Sequence, residues 1–119
     1  MDLKNKWTQF WDKYMKSPVE KIDVSNFPTD DIVRYHMVFS GLVQGVGFRY
    51  ELWTIAQKLQ LTGFVENLPN GDVYAELQGP RNKILFSVES MKSIPRIQIE
   101  KLEMYEMDIK KETDFEMKN

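Results

Sequence analysis

The sequence predicts a single α+β domain in which two helices cover one face of an antiparallel sheet. Three observations predict it. The chain of 119 residues is short enough for one domain. From Ile32 onward its apolar period switches repeatedly between two and 3.6. The elements marked by those periods fall in the order β-α-β-β-α-β with one further short β, the ferredoxin-like arrangement. That topology hosts enzymes, RNA binders and small-ligand sensors, so it fixes no function by itself.

Val33, Tyr35, Met37 and Phe39 alternate with Arg34, His36, Val38 and Ser40, the pattern of a strand with one buried face. Gly41, Gly45 and Gly47 then break it. Phe48, Leu52, Ile55, Ala56 and Leu59 recur at helical spacing and give an apolar stripe over roughly three turns. Short strands follow at Leu61 to Val65 and Asp72 to Gln78, joined by Asn67-Leu68-Pro69-Asn70-Gly71, where Asn-Gly tolerates the positive φ of a hairpin turn. Val73, Ala75 and Leu77 form the second strand's inward face. Gly79-Pro80 is expected to open the next helix, with proline in its first turn and Ile84, Leu85, Val88 and Met91 as its stripe, stopping before Pro95. Ile97 and Ile99 alternate, the phase slips at Glu100-Lys101, and Leu102 and Met104 resume it, as a bulged strand requires. Phe115 and Met117 mark a last short strand.

Residues 1–31 stand apart from this pattern. Leu3, Trp7, Phe10, Trp11 and Tyr14 recur at helical spacing and form one aromatic face, and residues 18–31 have the Pro-, Ser- and Asp-containing composition of a linker. The expected organisation is an N-terminal amphipathic helix and linker over 1–31 and a compact domain over 32–119. A lone helix of that length is not stable in water, so its aromatic face needs cover, from its own domain first and from a second copy or another protein next. Membrane-surface binding is disfavoured, because Asp2 and Asp12 dilute Lys4, Lys6, Lys13 and Lys16.

Composition removes whole classes of function. Sixteen Lys+Arg against 18 Asp+Glu leave no surplus of positive charge for gripping a nucleic-acid backbone. Zero cysteine excludes thiol nucleophiles, disulfides and cysteine-metal sites, and the lone His36 cannot build a multi-histidine centre. The count leaves a Ser-His-Asp triad open, although His36 falls on a strand and reads as a sheet-surface residue. No apolar run is long enough for a signal core or a membrane span, so a cytoplasmic location is expected.

The chemistry-bearing segment is Gly41-Leu-Val-Gln-Gly-Val-Gly-Phe-Arg49, which leaves a strand and enters a helix. Gly45 and Gly47 let consecutive N–H groups turn into one concavity, and the first N–H groups of the helix lack intrahelical acceptors. Such a loop seats a small anion, and Arg49 adds a planar fork of donors. A P-loop would need Lys-Ser/Thr after the last glycine, where Phe48-Arg49 stands, and a dinucleotide fingerprint would need glycine in place of Tyr50. Taken alone, the segment equally allows glycines that only build a tight turn and an Arg49 that is a solvated surface charge.

The motifs Val43-Gln-Gly-Val-Gly-Phe-Arg49, Gly63-Phe-Val-Glu-Asn67 and Asn70-Gly-Asp-Val-Tyr-Ala-Glu-Leu-Gln-Gly79 together resemble the acylphosphatases, over about residues 33–117 and including Asp114-Phe115. The resemblance implies an enzyme that hydrolyses carboxyl-phosphate anhydrides without metal, cofactor or covalent intermediate, with inorganic phosphate or sulfate as inhibitor. It implies that Arg49 binds phosphate and Asn67 positions the attacking water, with Gln44, Gly45, Val46, Gly47, Phe48 and Arg49 as the substrate-binding loop. Gln60 departs from the family by standing where many members end the helix on glycine, and Phe64 replaces a common tryptophan; residues 1–31 have no counterpart in the minimal pattern. By itself Asn67 also reads as a turn residue capping its own backbone. The alternative from another class is a non-catalytic anion-binding or protein-interaction module of the same fold. An RNA-binding sheet face is disfavoured, since Leu61-Thr-Gly-Phe-Val supplies only a fragment of the required motif.

Overall fold

The computed structural model describes residues 27–119. The aromatic stripe of residues 3–14 lies outside the described residues. Seven elements follow: β1 (Ile32–Leu42), α1 (Phe48–Leu59), β2 (Thr62–Asn67), β3 (Val73–Pro80), α2 (Arg81–Lys92), β4 (Gln98–Met107) and β5 (Phe115–Met117). The sheet order is β4-β1-β3-β2-β5, with both helices packed on one face. This is the ferredoxin-like α+β fold. Among the described residues no helix is long and apolar enough to cross a membrane.

The core follows the alternations. Val33, Met37 and Phe39 of β1, Val65 of β2, and Val73, Ala75 and Leu77 of β3 meet Phe48, Leu52, Ile55, Ala56 and Leu59 of α1 and Ile84, Val88 and Met91 of α2. The phase slip in β4 is a bulge: Ser40 pairs with Lys101 and Gly41 with Ile99, which leaves Glu100 unpaired. Helix α1 ends at Gln60 in the left-handed region (φ 58°, ψ 38°), and Leu61 N–H closes back on the Ala56 carbonyl at 2.9 Å.

Four expectations are corrected. Gly41 does not end β1 but lies inside it opposite the bulge, where an added Cβ would sit 2.2 Å from the Gln98 carbonyl oxygen. Pro80 belongs to β3, paired with Ile32, and its φ of −58° and ψ of 132° turn the chain into α2 from outside the helix. Leu85 is 44% exposed, and the small Ser87 takes the inward position instead. The sheet is mixed rather than wholly antiparallel, because β5 runs parallel to β2, Gly63 facing Phe115.

The last correction has a topological cause. Strands β4 and β5 occupy opposite edges of the sheet, so residues 108–114 must cross the face away from the helices. They do so as a strap. Glu112 accepts from Arg34 Nη1 at 2.5 Å, and Lys110 exchanges N–H and C=O bonds with the Gln78 side chain at 2.8 and 2.7 Å. Under the strap Arg34 is 1% exposed and paired with Glu76 at 2.8 Å, although its alternation placed it on an outward face.

At the other end, residues 27–31 dock onto α2. Phe27 meets Phe86 edge-on at 5.5 Å, and the Asp30 carboxylate accepts from Asn82 N–H at 2.9 Å. Proline supplies no side-chain cap, so Asp30 satisfies one of the helix's open donors from outside.

Candidate active site

Strand β1 delivers the glycine-rich loop to the N-terminus of α1. Gly45 (φ 75°) and Gly47 (φ 79°) both occupy the left-handed region, which lets the chain turn twice within four residues. The carbonyl of Gly47 accepts from Glu51 N–H at 3.0 Å and so starts the helix. The backbone N–H groups of residues 44–49 meet no acceptor among the described residues. They carry the positive end of the α1 dipole.

Loop, helix and the end of β2 enclose a cavity of about 120 Å³, lined by Val43, Gln44, Gly45, Gly47, Phe48, Arg49, Tyr50, Asn67 and Met117. That is well below the roughly 300–1,000 Å³ of a pocket for a drug-sized ligand. It suits a small anion. No carboxylate or imidazole side chain is among those lining residues.

Arg49 is held through one nitrogen. Its Nη1 donates to the Lys118 carbonyl at 2.8 Å, to the Asn119 backbone oxygen and to Asn119 Oδ1 at 3.1 Å. Nε and Nη2 have no acceptor among the described residues, and together they form the edge of a guanidinium that matches two oxygens of one anion. The Asn119 side chain also spans to β2, where its Oδ1 accepts from Asn67 N–H and its Nδ2 donates to the Asn67 carbonyl, both at 3.1 Å.

The side chain of Asn67 makes no hydrogen bond among the described residues. The turn is capped instead by Asn70, whose Oδ1 accepts from Asp72 N–H at 3.0 Å. The Asn67 amide is thus open to the cavity's contents, and its reading as a self-capping turn residue is set aside. Gln44 has a different job. Its Nε2 donates to the carbonyls of Leu68 and Asp72 at 2.8 and 2.7 Å, which staples the loop to the hairpin that carries Asn67.

Among the expected loop residues, Phe48 offers only its backbone, since its ring is 2% exposed and packs on Phe39 at 4.8 Å. Val46 is partly buried against the core. His36 is away from the cavity, stacked on Tyr105 at 4.1 Å on the strap side of the sheet, so it forms no triad there. Among the described residues no group of three or more His, Cys, Asp or Glu could hold a metal ion.

Two neighbours of the loop escaped sequence reasoning. Glu51, fully buried on the first turn of α1, pairs with Arg96, whose Nε donates to the Val46 carbonyl at 2.8 Å. Burial pushes the Glu51 carboxyl above its usual range, and Arg96 only partly offsets that. The available signal was Glu51 itself, a charge three residues after Phe48 on the apolar face. Nothing in the sequence around Arg96 marks it.

Fold and cavity define a class: a small ferredoxin-like domain with a small cavity, lined by open backbone donors and Arg49, at a strand-to-helix turn. The family model described as acylphosphatase matches residues 35–117. An acylphosphatase of Clostridium beijerinckii is 48% identical over 61 residues, covering 51% of this chain and 68% of that one. One from Bifidobacterium longum is 39% identical over 84 residues, covering 70% and 87%. The solved acylphosphatase of Bacillus subtilis superposes with a TM-score of 0.69 at 30% identity, covering 75% of this chain and all of that one. The chain belongs to the acylphosphatase family, hydrolases acting on acid anhydrides, a membership that implies a small acyl phosphate as substrate. Nothing among these relatives favours the non-catalytic alternative.

Proposed function

We propose that the N–H groups of residues 44–49 and the Nε/Nη2 edge of Arg49 hold the phosphoryl oxygens of the substrate, and that the Asn67 amide aims a water at phosphorus. The observation that carries this reading is the convergence of those open donors and the uncommitted Asn67 amide on one small cavity. Water attacks phosphorus, the P–O bond to the acyl oxygen breaks, and the carboxylate leaves with that bond's electron pair. The water's two protons end on the new phosphate, so acyl phosphate dianion and water become carboxylate and dihydrogen phosphate.

The departing carboxylate is the conjugate base of an acid with pKa about 4, so it needs no general acid. In a loose phosphoryl-transfer transition state the charge lies on the equatorial oxygens and the nucleophile needs little activation. Donors fixed in advance around those oxygens are therefore the main requirement, and a cavity lined without carboxylate or imidazole suits that chemistry.

Hydrolysis of benzoyl phosphate and acetyl phosphate by the purified chain tests the reading. Turnover should survive EDTA, be inhibited competitively by phosphate or sulfate, and be poor on alkyl phosphates, whose alkoxide leaving group calls for an acid. Metal-dependent turnover, or good turnover of alkyl monoesters, counts against it. The same proposal places the enzyme in the cytoplasm and treats residues 1–31 as an attachment whose aromatic stripe is covered by its own domain or by self-association, outside the catalytic unit of residues 32–119.

A further inference from the structure

We propose that Arg96 is a positioning residue of the phosphate cradle, acting through the Val46 carbonyl to present the Gly47 N–H to the anion; this rests on the cradle reading above. The peptide between Val46 and Gly47 is trans, so its C=O and N–H point in opposite directions. Arg96 Nε pins that C=O at 2.8 Å. The next peptide is pinned too, because the Gly47 carbonyl accepts from Glu51 N–H at 3.0 Å. Two consecutive carbonyls are thereby tied back, and the N–H groups of Gly47 and Phe48 are fixed on the other side.

The geometry needs an arginine. One guanidinium reaches two acceptors in different elements, Val46 in the loop and Glu51 on α1, and a point charge cannot hold both in a set plane. Arg96 is itself anchored: it lies between Ile94 and Ile97, 1% and 4% exposed, and Ile97 N–H closes on the Ile94 carbonyl at 3.0 Å. Without this clamp, both glycines flanking Val46 leave its peptide free to flip, and a flipped peptide would turn a carbonyl toward the phosphate. Glu51 strengthens the inference. A fully buried carboxylate on the helix turn that seats an anion opposes binding, and it is tolerable where it fixes the orientation of a cation.

The test uses benzoyl phosphate kinetics and phosphate inhibition on the full chain. Arg96→Lys keeps a cation beside Glu51 but loses the fork; phosphate inhibition should weaken and kcat fall, each on the order of 10- to 100-fold, the scale of a small misplacement. The double variant Arg96→Met/Glu51→Leu removes both charges and leaves none buried alone, yet the same losses should persist because Val46 is still unpinned. Wild-type kcat, KM and phosphate inhibition in the double variant would overturn the proposal. In the wild-type protein, the Gly47 amide resonance should move with phosphate along the inhibition curve; an amide unmoved at saturating phosphate overturns the proposal without any variant. Arg49→Ala separates the two levels. If it keeps turnover, the cradle reading itself fails, whereas an inactive Arg49→Ala beside a wild-type double variant defeats only the role of Arg96.

Discussion

Arg49 Nη1 sits 2.8 Å from the carbonyl oxygen of Lys118, so the site's cation is anchored to the segment just after β5, 69 residues further along the chain. That anchor leaves the Nε/Nη2 edge without an acceptor among the described residues, and it is the edge proposed to hold the substrate. Arg49→Ala should therefore lower turnover by about 10³-fold or more and weaken phosphate inhibition, while the fold survives. Arg49→Lys should rescue poorly, because an ammonium cannot both hold the Lys118 carbonyl and present two parallel donors. Wild-type turnover in Arg49→Ala sinks the assignment.

Asn67→Ala should lower kcat by roughly 10²- to 10³-fold and leave phosphate inhibition nearly unchanged, because the proposed partner of its amide is water. The backbone of Asn67, which pairs with Val73 and with the Asn119 side chain, is untouched by the substitution. A collapse of phosphate inhibition would make Asn67 a ligand of the anion instead.

Stability should fall in acid through Glu76. Burial raises its carboxyl, but hydrogen bonds from Tyr74, Arg34 and Lys110 outweigh burial and hold it below the usual carboxylate range. A depressed native pKa stabilises the fold above the unfolded value of about 4.3, and that contribution is lost as pH falls through the native value. Glu76→Gln should cost about 1–3 kcal/mol at pH 7 and progressively less below pH ~4. Urea unfolding of both proteins at several pH values decides it; a constant difference down to pH 3 contradicts the mechanism. Glu51 acts in the opposite sense, since its raised native pKa makes stability decline as pH rises through the interval between the two values.

Gln60→Gly should stabilise the protein by about 0.5–1 kcal/mol. A non-glycine residue at φ 58° carries a left-handed penalty of roughly 1–2 kcal/mol, partly offset by the larger entropy loss of glycine on folding. Thermal melts should show a Tm higher by a few degrees, with kcat unchanged. A lower Tm would mean that the Gln60 side chain contributes more than the backbone relief.

Removal of residues 1–26 should leave kcat largely intact, since Phe27–Asp31 dock on α2 at the end of β1 remote from the loop. Removal of residues 1–31 should cost additional stability, because Asp30 and Phe27 leave with it and the first turn of α2 loses an acceptor. Turnover, melting and sedimentation of the two fragments separate these effects. A folded fragment without activity would assign the extension to the site.

What was legible in the sequence is what neighbouring residues decide. The stripe from Phe48 to Leu59, the Asn70-Gly71 hairpin and the slip at Glu100 are patterns of spacing, and each appears in the structure where the spacing puts it. The buried Arg34 was not legible, because what covers it is a strap about 78 residues away whose path depends on which edge β5 joins. The direction of β5 escaped for the same reason, three residues being too few to carry an orientation signal. In the site, the loop and Arg49 were readable as one contiguous motif. The staple by Gln44, the anchor on Lys118 and the clamp by Arg96 were not, since each joins residues 24 to 69 positions apart.

The Gln44 staple bears on how the enzyme becomes active while folding. Its two hydrogen bonds close loops of 24 and 28 residues, and the Arg49 anchor closes one of 69. Each closure carries an entropic cost that is recovered only after the strands on either side have paired. A chain that has formed β1 and α1 alone holds the whole glycine motif and has no turnover-competent arrangement of it. Regained activity on refolding should therefore require a sheet that is complete out to the edge strand β5.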